Sequence, residues 1–435
     1  MSPLAASALP RLLDGFTQRP LTLAEHLERH GPLPRRPAAA LFEELEAVDL
    51  RGRGGGGFPL ARKVAAVRAA GSGRAPLVLV NGVEADPLSR KDATLLAGNP
   101  HLVLDGAAVA AELVGAEEGV VAVSNRLAAR AVEAALGERR SLPACAVQAV
   151  PSRYILGQES ALINFLNGRR GVPTFNARPF KAGLKGRPTL VANAETLAHL
   201  ALIARHGAGW YAALGATAEP GTALLTIWPP DGPPTVAEAA LGTPFAALLP
   251  GGATVGALVG GLGGGWLSEA QLRTVTLSRR GLLGAGAALG CAAIVLVAAD
   301  GCPLAETARL LSYLAAEGAA QCGPCRFGLP ELAELMAGLC SGEREAAAEL
   351  DEVLALLPGR GSCSHPDGTV RVVRSCLGAF PQAVRAHLDG GPCPGCTGRS
   401  ALAGPFAGVG LPELSLRPRR LRRRPVALTR EGPWR

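Results

Sequence analysis

Three mostly apolar runs, "APLVLVNGVEADP" (75–87), "GVVAVSN" (119–125) and "CAVQAVP" (145–151), are separated by helical stretches, "DGAAVAAELVGA" (105–116) and "RLAARAVEAAL" (126–136). Strands joined through helices cannot pair as hairpins, because each crossover returns the chain to the same end of the sheet. The segment therefore predicts an α/β domain whose mostly parallel sheet is covered on both faces. On either side, "RPAAALFEELEAVDL" (36–50) places Leu41, Leu45 and Val48 on one helical side, and "ESALINFLNGRRG" (159–171) predicts a helix with a glycine stop.

The rest of the chain changes character twice. Residues 222–266 are short apolar runs broken by Pro and Gly, which suits a small, mainly β module. From 304 onward, "LAETARLLSYLAAEG", "LPELAELMAGL" and "EREAAAELDEVLALL" predict a helical bundle around several cysteines. With 48% apolar and 18% charged residues over 435 positions, disorder is excluded and two or three domains are allowed. Aromatics at 4% argue against stacking on nucleic-acid bases.

Part of the +8 net charge sits in "RPRRLRRRP" (417–425), read as a solvated tail, with docking on an acidic partner or anionic surface as the other reading. No basic stretch followed by an apolar run opens the chain, so no signal peptide is expected. The uncharged stretch 282–299 is half Ala or Gly, and "CAAIVLVAAD" (291–300) reads as a buried strand rather than part of a membrane span. Ten cysteines without a secretion signal predict a reducing, cytoplasmic setting, where close spacings mean metal or redox chemistry.

"GRGGGG" (52–57) satisfies G-x-G-x-x-G, but a helix precedes it where a dinucleotide fold requires a strand. What remains is backbone free of side chains, able to approach a phosphate or a flat ring, with Arg51, Arg53 and Lys63 supplying positive charge.

"LRGRGGGGFPLARK" (50–63) resembles the flavin- and NADH-binding loop of the NADH-oxidising 51-kDa, or F-type, subunit of respiratory complex I and of related diaphorase subunits of NAD-linked hydrogenases and formate dehydrogenases. "VNGVEADPLSRKDATLLAGNPHLVLDG" (80–106), "YILGQESALINFLNGRRGVP" (154–173) and "GRPTLVANAETLAHL" (186–200) are similar to three further family segments, in the same order. The resemblance covers about residues 35–390. It implies that Arg53, Gly54, Gly55, Gly56, Gly57 and Lys63 form the flavin phosphate and nucleotide pocket. It implies that Asn81, Glu84, Gly157, Glu159, Asn193 and Thr196 contact FMN, with Glu84 and Glu159 as the catalytic side chains. Phe58 and Tyr154 would flank NADH. The family's Asp, Glu and Asn are replaced by Val83, Gln158 and Ala192; the first two changes remove negative charge and should raise the flavin potential.

The resemblance also implies a [4Fe–4S] cluster. In "EGAAQCGPCRFG" (317–328), Cys322 and Cys325 fall on the second and third family ligands, Ala319 stands at the first, and Cys363, 38 residues beyond Cys325, suits the fourth. Three thiolates and a non-standard last ligand result. His365 and Cys376 are the candidates for it, although His365 also reads as an exposed turn residue and Cys376 as core. A site without metal is a second reading. A Cys₄ zinc site joining Cys322 and Cys325 to Cys393 and Cys396 is a third, across 67 intervening residues. Cys145, Cys291, Cys302 and Cys340 read as small buried apolar side chains.

The implied organisation is an N-terminal extension (1–35), an FMN/NADH-binding α/β domain (36–217), a β-grasp (SLBB-like) module (218–266), a connecting segment (267–302), a helical iron–sulfur domain (303–390) and a basic tail (391–435). The implied protein passes electrons between NADH and a ferredoxin or another iron–sulfur or quinone-reductase partner. It would be cytoplasmic and reach the inner face of a membrane only through that partner, with no nucleic acid involved. The rival is a non-catalytic scaffold that keeps the fold.

Overall fold

Four strands form a wholly parallel sheet in the order β3-β2-β1-β4: β1 (Leu77–Gly82), β2 (Glu118–Val123), β3 (Ala144–Ala149) and β4 (Thr189–Asn193). The computed structural model describes residues 9–416 apart from 17–18, 71–72, 140–143, 408, 411 and 415; the arginine-rich 417–425 lies outside the described residues. The chain steps outward from β1 to β3, then returns to lay β4 on the free edge of β1. Such a reversal opens a crevice at the carboxyl ends of the two strands that flank it. Here those ends carry Asn81 and Asn193, which face each other in register.

Helices α1 (Leu23–His30), α2 (Ala38–Ala47), α3 (Leu60–Arg68), α4 (Lys91–Gly98), α5 (Pro100–Val114), α6 (Arg126–Gly137), α7 (Glu159–Leu166) and α8 (Ala194–Ala212) surround the sheet. Side chains alternate along β1 and so feed two cores. Val78 and Val80 pack with α2, α3, α5, α6 and α8. Leu77 and Leu79 pack with Ala161, Leu162 and Ile163 of α7 on the other face. Each such Leu or Val contributes about 1.5–3 kcal/mol by leaving water. The expected Leu41, Leu45 and Val48 stripe is buried in the first core. At Gly106 an added Cβ would lie 1.9 Å from the Leu197 carbonyl, so only glycine lets α5 and α8 cross this closely. Strand β4 was missed in sequence because its apolar run "TLVAN" is short and runs straight into α8.

A two-residue ribbon, β5 (Gly215–Ala216) and β6 (Glu219–Pro220), leads into a five-stranded sheet. Its members are β7 (Thr222–Trp228), β8 (Thr235–Ala240), β9 (Thr254–Val259), β10 (Gly265–Ser268) and β11 (Ala293–Ala298), in the order β10-β9-β11-β7-β8. The central strand, β11, comes from the stretch expected only to connect. It is the buried strand read from "CAAIVLVAAD". Among the described residues no helix is long and apolar enough to cross a membrane.

After the short helices α9 (Glu269–Leu272) and α10 (Arg279–Gly284), the bundle consists of α11 (Pro303–Ala316), α12 (Leu329–Cys340), α13 (Arg344–Leu356), α14 (His365–Ala379) and α15 (Pro381–Gly390), followed by α16 (Pro394–Thr397). Cys340 and Cys376 are fully buried in it, whereas Cys145 and Cys291 are half-buried. His365 is no exposed turn residue: it opens α14, is 9% exposed and packs 5.4 Å from the Tyr154 ring.

Candidate functional site

A cavity of about 560 Å³ lies at the crevice between β1 and β4. Its walls include Gly54, Gly56, Gly57, Phe58, Lys63, Asn81, Gly157, Glu159, Asn193 and Thr196. These ten expected residues come from four separate segments, which the sheet reversal and the glycine loop bring together. The loop is pinned at its base, where Gly52 N–H donates to the Phe58 carbonyl at 3.0 Å and Leu60 N–H to Leu50 at 2.8 Å. Gly57 needs its positive φ of 58°, and a Cβ there would strike the Arg279 guanidinium 1.6 Å away. At Gly56 a Cβ would meet no protein atom within 4 Å. Glycine at 56 thus leaves space on the cavity side for a ligand.

Four expected residues stand elsewhere. Arg53 does not line the cavity: its guanidinium donates to the Thr222 carbonyl (3.1 and 3.2 Å), the Arg51 carbonyl (3.1 Å) and the Tyr211 hydroxyl (3.1 Å). Its backbone N–H donates to Thr196 Oγ1 at 2.9 Å, so Arg53 anchors the loop to β7 and α8. Gly55 faces the backbone of Gly290 and Cys291 with a φ of 104°. Glu84 is turned toward the start of α4, where it accepts from the Asp92 and Ala93 N–H groups at 3.0 and 3.1 Å and from the Ser89 hydroxyl at 2.6 Å. Burial and the neighbouring Asp92 push its pKa upward. Tyr154 packs on His365, away from the cavity walls, and its N–H donates to Glu317 at 2.9 Å. The motif order revealed which segments meet, but not which way each side chain turns.

Behind Asn193 lies a buried charge network. Lys91 Nζ stands 2.9 Å from both Asp92 and Glu195, and Asn193 Nδ2 donates to Asp92 at 2.8 Å. Burial opposes the Lys91 charge, but Asp92 and Glu195 outweigh it and raise its pKa. Burial likewise acts against the Glu195 carboxylate, yet Lys91, His199 and Arg53 bring its pKa down to about 2. The network fixes Asn193 in one orientation in the cavity wall.

Also lining the cavity, Lys63 pairs with Glu159 and donates to the Val191 carbonyl at 3.1 Å. Gln158, where the family has an acid, caps α7: its Oε1 accepts from Ala161 N–H at 2.9 Å and from the Ser160 hydroxyl at 2.6 Å. An amide oxygen caps as a carboxylate would, without its charge. Val83 is buried, and Ala192 lines the cavity. Arg62, Phe180 and Ser364 are wall residues that sequence reasoning missed. Ser364 had one available signal, its position beside Cys363.

Ser364 joins the cavity to the cysteine region. Cys325 is the second residue of the wide helical turn Pro324–Gly328, and Cys322 lies two residues before that turn. Burial acts to raise the Cys322 thiol, but hydrogen bonds from the Cys325 and Ser362 backbones and the Ser362 hydroxyl hold its pKa below the usual thiol value. Cys325 is raised to about 12 by burial, with Cys322 and Cys363 as further neighbours and the Ala319 backbone as a donor. The three thiols therefore share one neighbourhood rich in N–H donors to sulfur, the surroundings an iron–sulfur cluster requires. The His365 Nε2 lies 2.9 Å from the Leu314 carbonyl, which accepts its proton, and Nδ1 is buried without a partner. The donors fit a cluster held by three thiolates. Cys376, in contrast, points to the Pro303 carbonyl at 3.7 Å within the core.

Residues 45–202 match the Nuo51 FMN-binding domain, and residues 305–387 match the NADH-ubiquinone oxidoreductase-F iron-sulfur binding region. The F subunit of the NADH-quinone oxidoreductase of Streptomyces coelicolor (strain ATCC BAA-471 / A3(2) / M145) is 30% identical over 380 residues, spanning 81% of this chain and 84% of that protein. The F 2 subunit of the Rhizobium meliloti (strain 1021) enzyme is 28% identical over 380 residues, spanning 81% and 90%. The NAD+-reducing [NiFe]-hydrogenase in its H2-reduced state superposes with a TM-score of 0.73 at 26% identity, over 81% of this chain and 63% of that chain. Its air-oxidised form gives 0.76 at 25%, over 93% and 71%. The chain belongs to the family of NADH-oxidising F-type, or 51-kDa, subunits and carries that family's FMN-binding domain and iron–sulfur binding region.

Proposed function

We propose that this protein oxidises NADH and delivers the electrons singly to an iron–sulfur protein acceptor of the ferredoxin kind. One observation carries the reading: a single cavity has the glycine loop on one side and Ser364, the neighbour of Cys363, on another. The residues that would hold the flavin and a residue next to a cluster ligand therefore share one enclosure. FMN, when bound, supplies hydride acceptance and one-electron release.

The chain's own residues bind and orient. Gly54, Gly56 and Gly57 leave room for a flat ring, Asn81, Asn193 and Thr196 offer hydrogen bonds, and Arg62 and Lys63 supply positive charge for a phosphate. Phe58, 49% exposed at the rim, is placed to cover an incoming nicotinamide. Glu159, held by Lys63, is the acidic side chain of the cavity lining that would face the nucleotide. No nucleophile or general base is needed for hydride transfer.

The test is anaerobic purification of the full chain, flavin and iron analysis, and assay of NADH-dependent ferricyanide reduction. About one FMN per chain with turnover supports the proposal. A flavin-loaded protein that reduces nothing with NADH or NADPH overturns it in favour of a scaffold.

A further inference from the structure

Cys302 lies 85 residues before His387, which stands close in sequence to Cys393 and Cys396, and the donor atoms of all four lie within 4.8 Å of one another. Cys302 is buried in the core as expected and also belongs to this group, and Cys393 and Cys396 stand with Cys302 and His387 in place of the expected Cys322 and Cys325. The Sγ atoms of Cys393 and Cys396 are 3.7 Å apart, and those of Cys396 and Cys302 are also 3.7 Å apart. His387 Nε2 stands 3.2 Å from Cys396 Sγ and 3.6 Å from Cys302 Sγ.

These edges suit a single small ion. A tetrahedral zinc with bonds of about 2.3 Å to sulfur and about 2.0–2.1 Å to nitrogen has S···S edges of about 3.8 Å and S···N edges of about 3.6 Å. The thiolates of a cubane, each bound to a different iron, stand farther apart. We propose that these four residues form a closed Cys₃His zinc site, separate from the cluster of Cys322, Cys325 and Cys363.

The surroundings fit that role. His387 Nδ1 lies 2.8 Å from the Ala383 carbonyl, which takes its proton and leaves the Nε2 lone pair facing the sulfurs. Cys396 N–H donates to the Cys393 carbonyl at 3.0 Å, closing the CPGC turn. At Gly395 a Cβ would lie 2.6 Å from the Asp300 carbonyl and 3.0 Å from Cys302 N, so glycine lets this turn dock beside Cys302. Arg309 holds the Cys396 carbonyl at 2.8 Å, and Glu306 accepts from the Ser400 hydroxyl at 2.6 Å. Four protein donors leave no open coordination position, which marks a structural rather than a catalytic ion. The site joins the start of α11 to the end of α15 and to the segment beyond it. It thereby closes the part of the chain that contains all three cluster thiols.

The experiment uses the full chain, expressed with both zinc and iron supplied and purified anaerobically, with metals and FMN quantified together. About one zinc per chain is expected. Cys393→Ser and His387→Ala should each lose at least five-fold of it, His387→Cys should retain it, and FMN and iron should stay near wild type in all three. Wild type with iron but less than about one-fifth of a zinc per chain overturns the proposal. So does zinc that survives both losing variants, loss of iron in place of zinc, or mass spectrometry showing a Cys393–Cys396 disulfide in the anaerobic protein. Flavin and iron contents read the proposed function independently, so either idea can fail alone.

Discussion

The two sulfur-rich sites of the C-terminal half differ in how their donors are spaced. Around Cys302 four atoms converge within 4.8 Å, with a histidine oriented by a backbone carbonyl. Cys322, Cys325 and Cys363 do not belong to that group; they share a looser pocket in which backbone N–H groups point at sulfur. The first arrangement fits one small ion. The second fits a larger anionic assembly, stabilised by donors to its sulfurs. Donor spacing and the neighbours of sulfur thus separate two metal chemistries that a count of cysteines merges.

The strongest break between the two sites should come from removing single thiols. Cys322→Ser, Cys325→Ser and Cys363→Ser should each lower iron content at least five-fold while zinc stays, the reverse of Cys393→Ser. Metal analysis of the four variants side by side checks this, and a common loss of both metals would merge the sites. At the cavity, Glu159→Ala should reduce NADH–ferricyanide turnover at least tenfold, about 1.4 kcal/mol of lost transition-state stabilisation, with both metals unchanged. Wild-type turnover in that variant would remove Glu159 from the site.

A smaller contrast lies within the glycine loop. Gly56→Val should lower FMN content with little change in the melting temperature of the flavin-free protein, because its side chain enters the cavity. Gly55→Val, at a φ of 104°, should instead cost about 1–2 kcal/mol of stability. Equal melting temperatures would contradict this division. The mildest effect is expected from Ala319→Cys, which adds a thiol where the family has one. Iron should persist longer in air and the cluster potential should fall, since a thiolate adds negative charge. Iron retention and redox titration of wild type and variant measure it.

The parallel sheet was legible because β1, β2 and β3 are separate apolar runs flanked by helical spacing. Cys322 and Cys325 were legible because two residues separate them in one short turn. The site around Cys302 was not, since "CPGC" announces only half a tetrahedron. Its partners lie at the N-cap of α11 and inside an amphipathic helix, where a lone Cys and a lone His read as ordinary residues. Side-chain direction was also hidden: Arg53 and Glu84 belong to the right segments, yet one anchors to Thr222 and the other caps α4.

The position of β11 bears on how this chain leaves the ribosome. Ala293 pairs with Thr226, so β7 waits for roughly 70 further residues before its inner edge is covered. At about 5–20 residues per second that is several seconds of synthesis. The β7–β8 hairpin can form at once, but an open apolar strand edge invites pairing with another nascent chain. Truncation at residue 266 would make that exposure permanent. The smallest expressible version of the β module must therefore run through Ala298, and fragments that stop earlier should partition into aggregates.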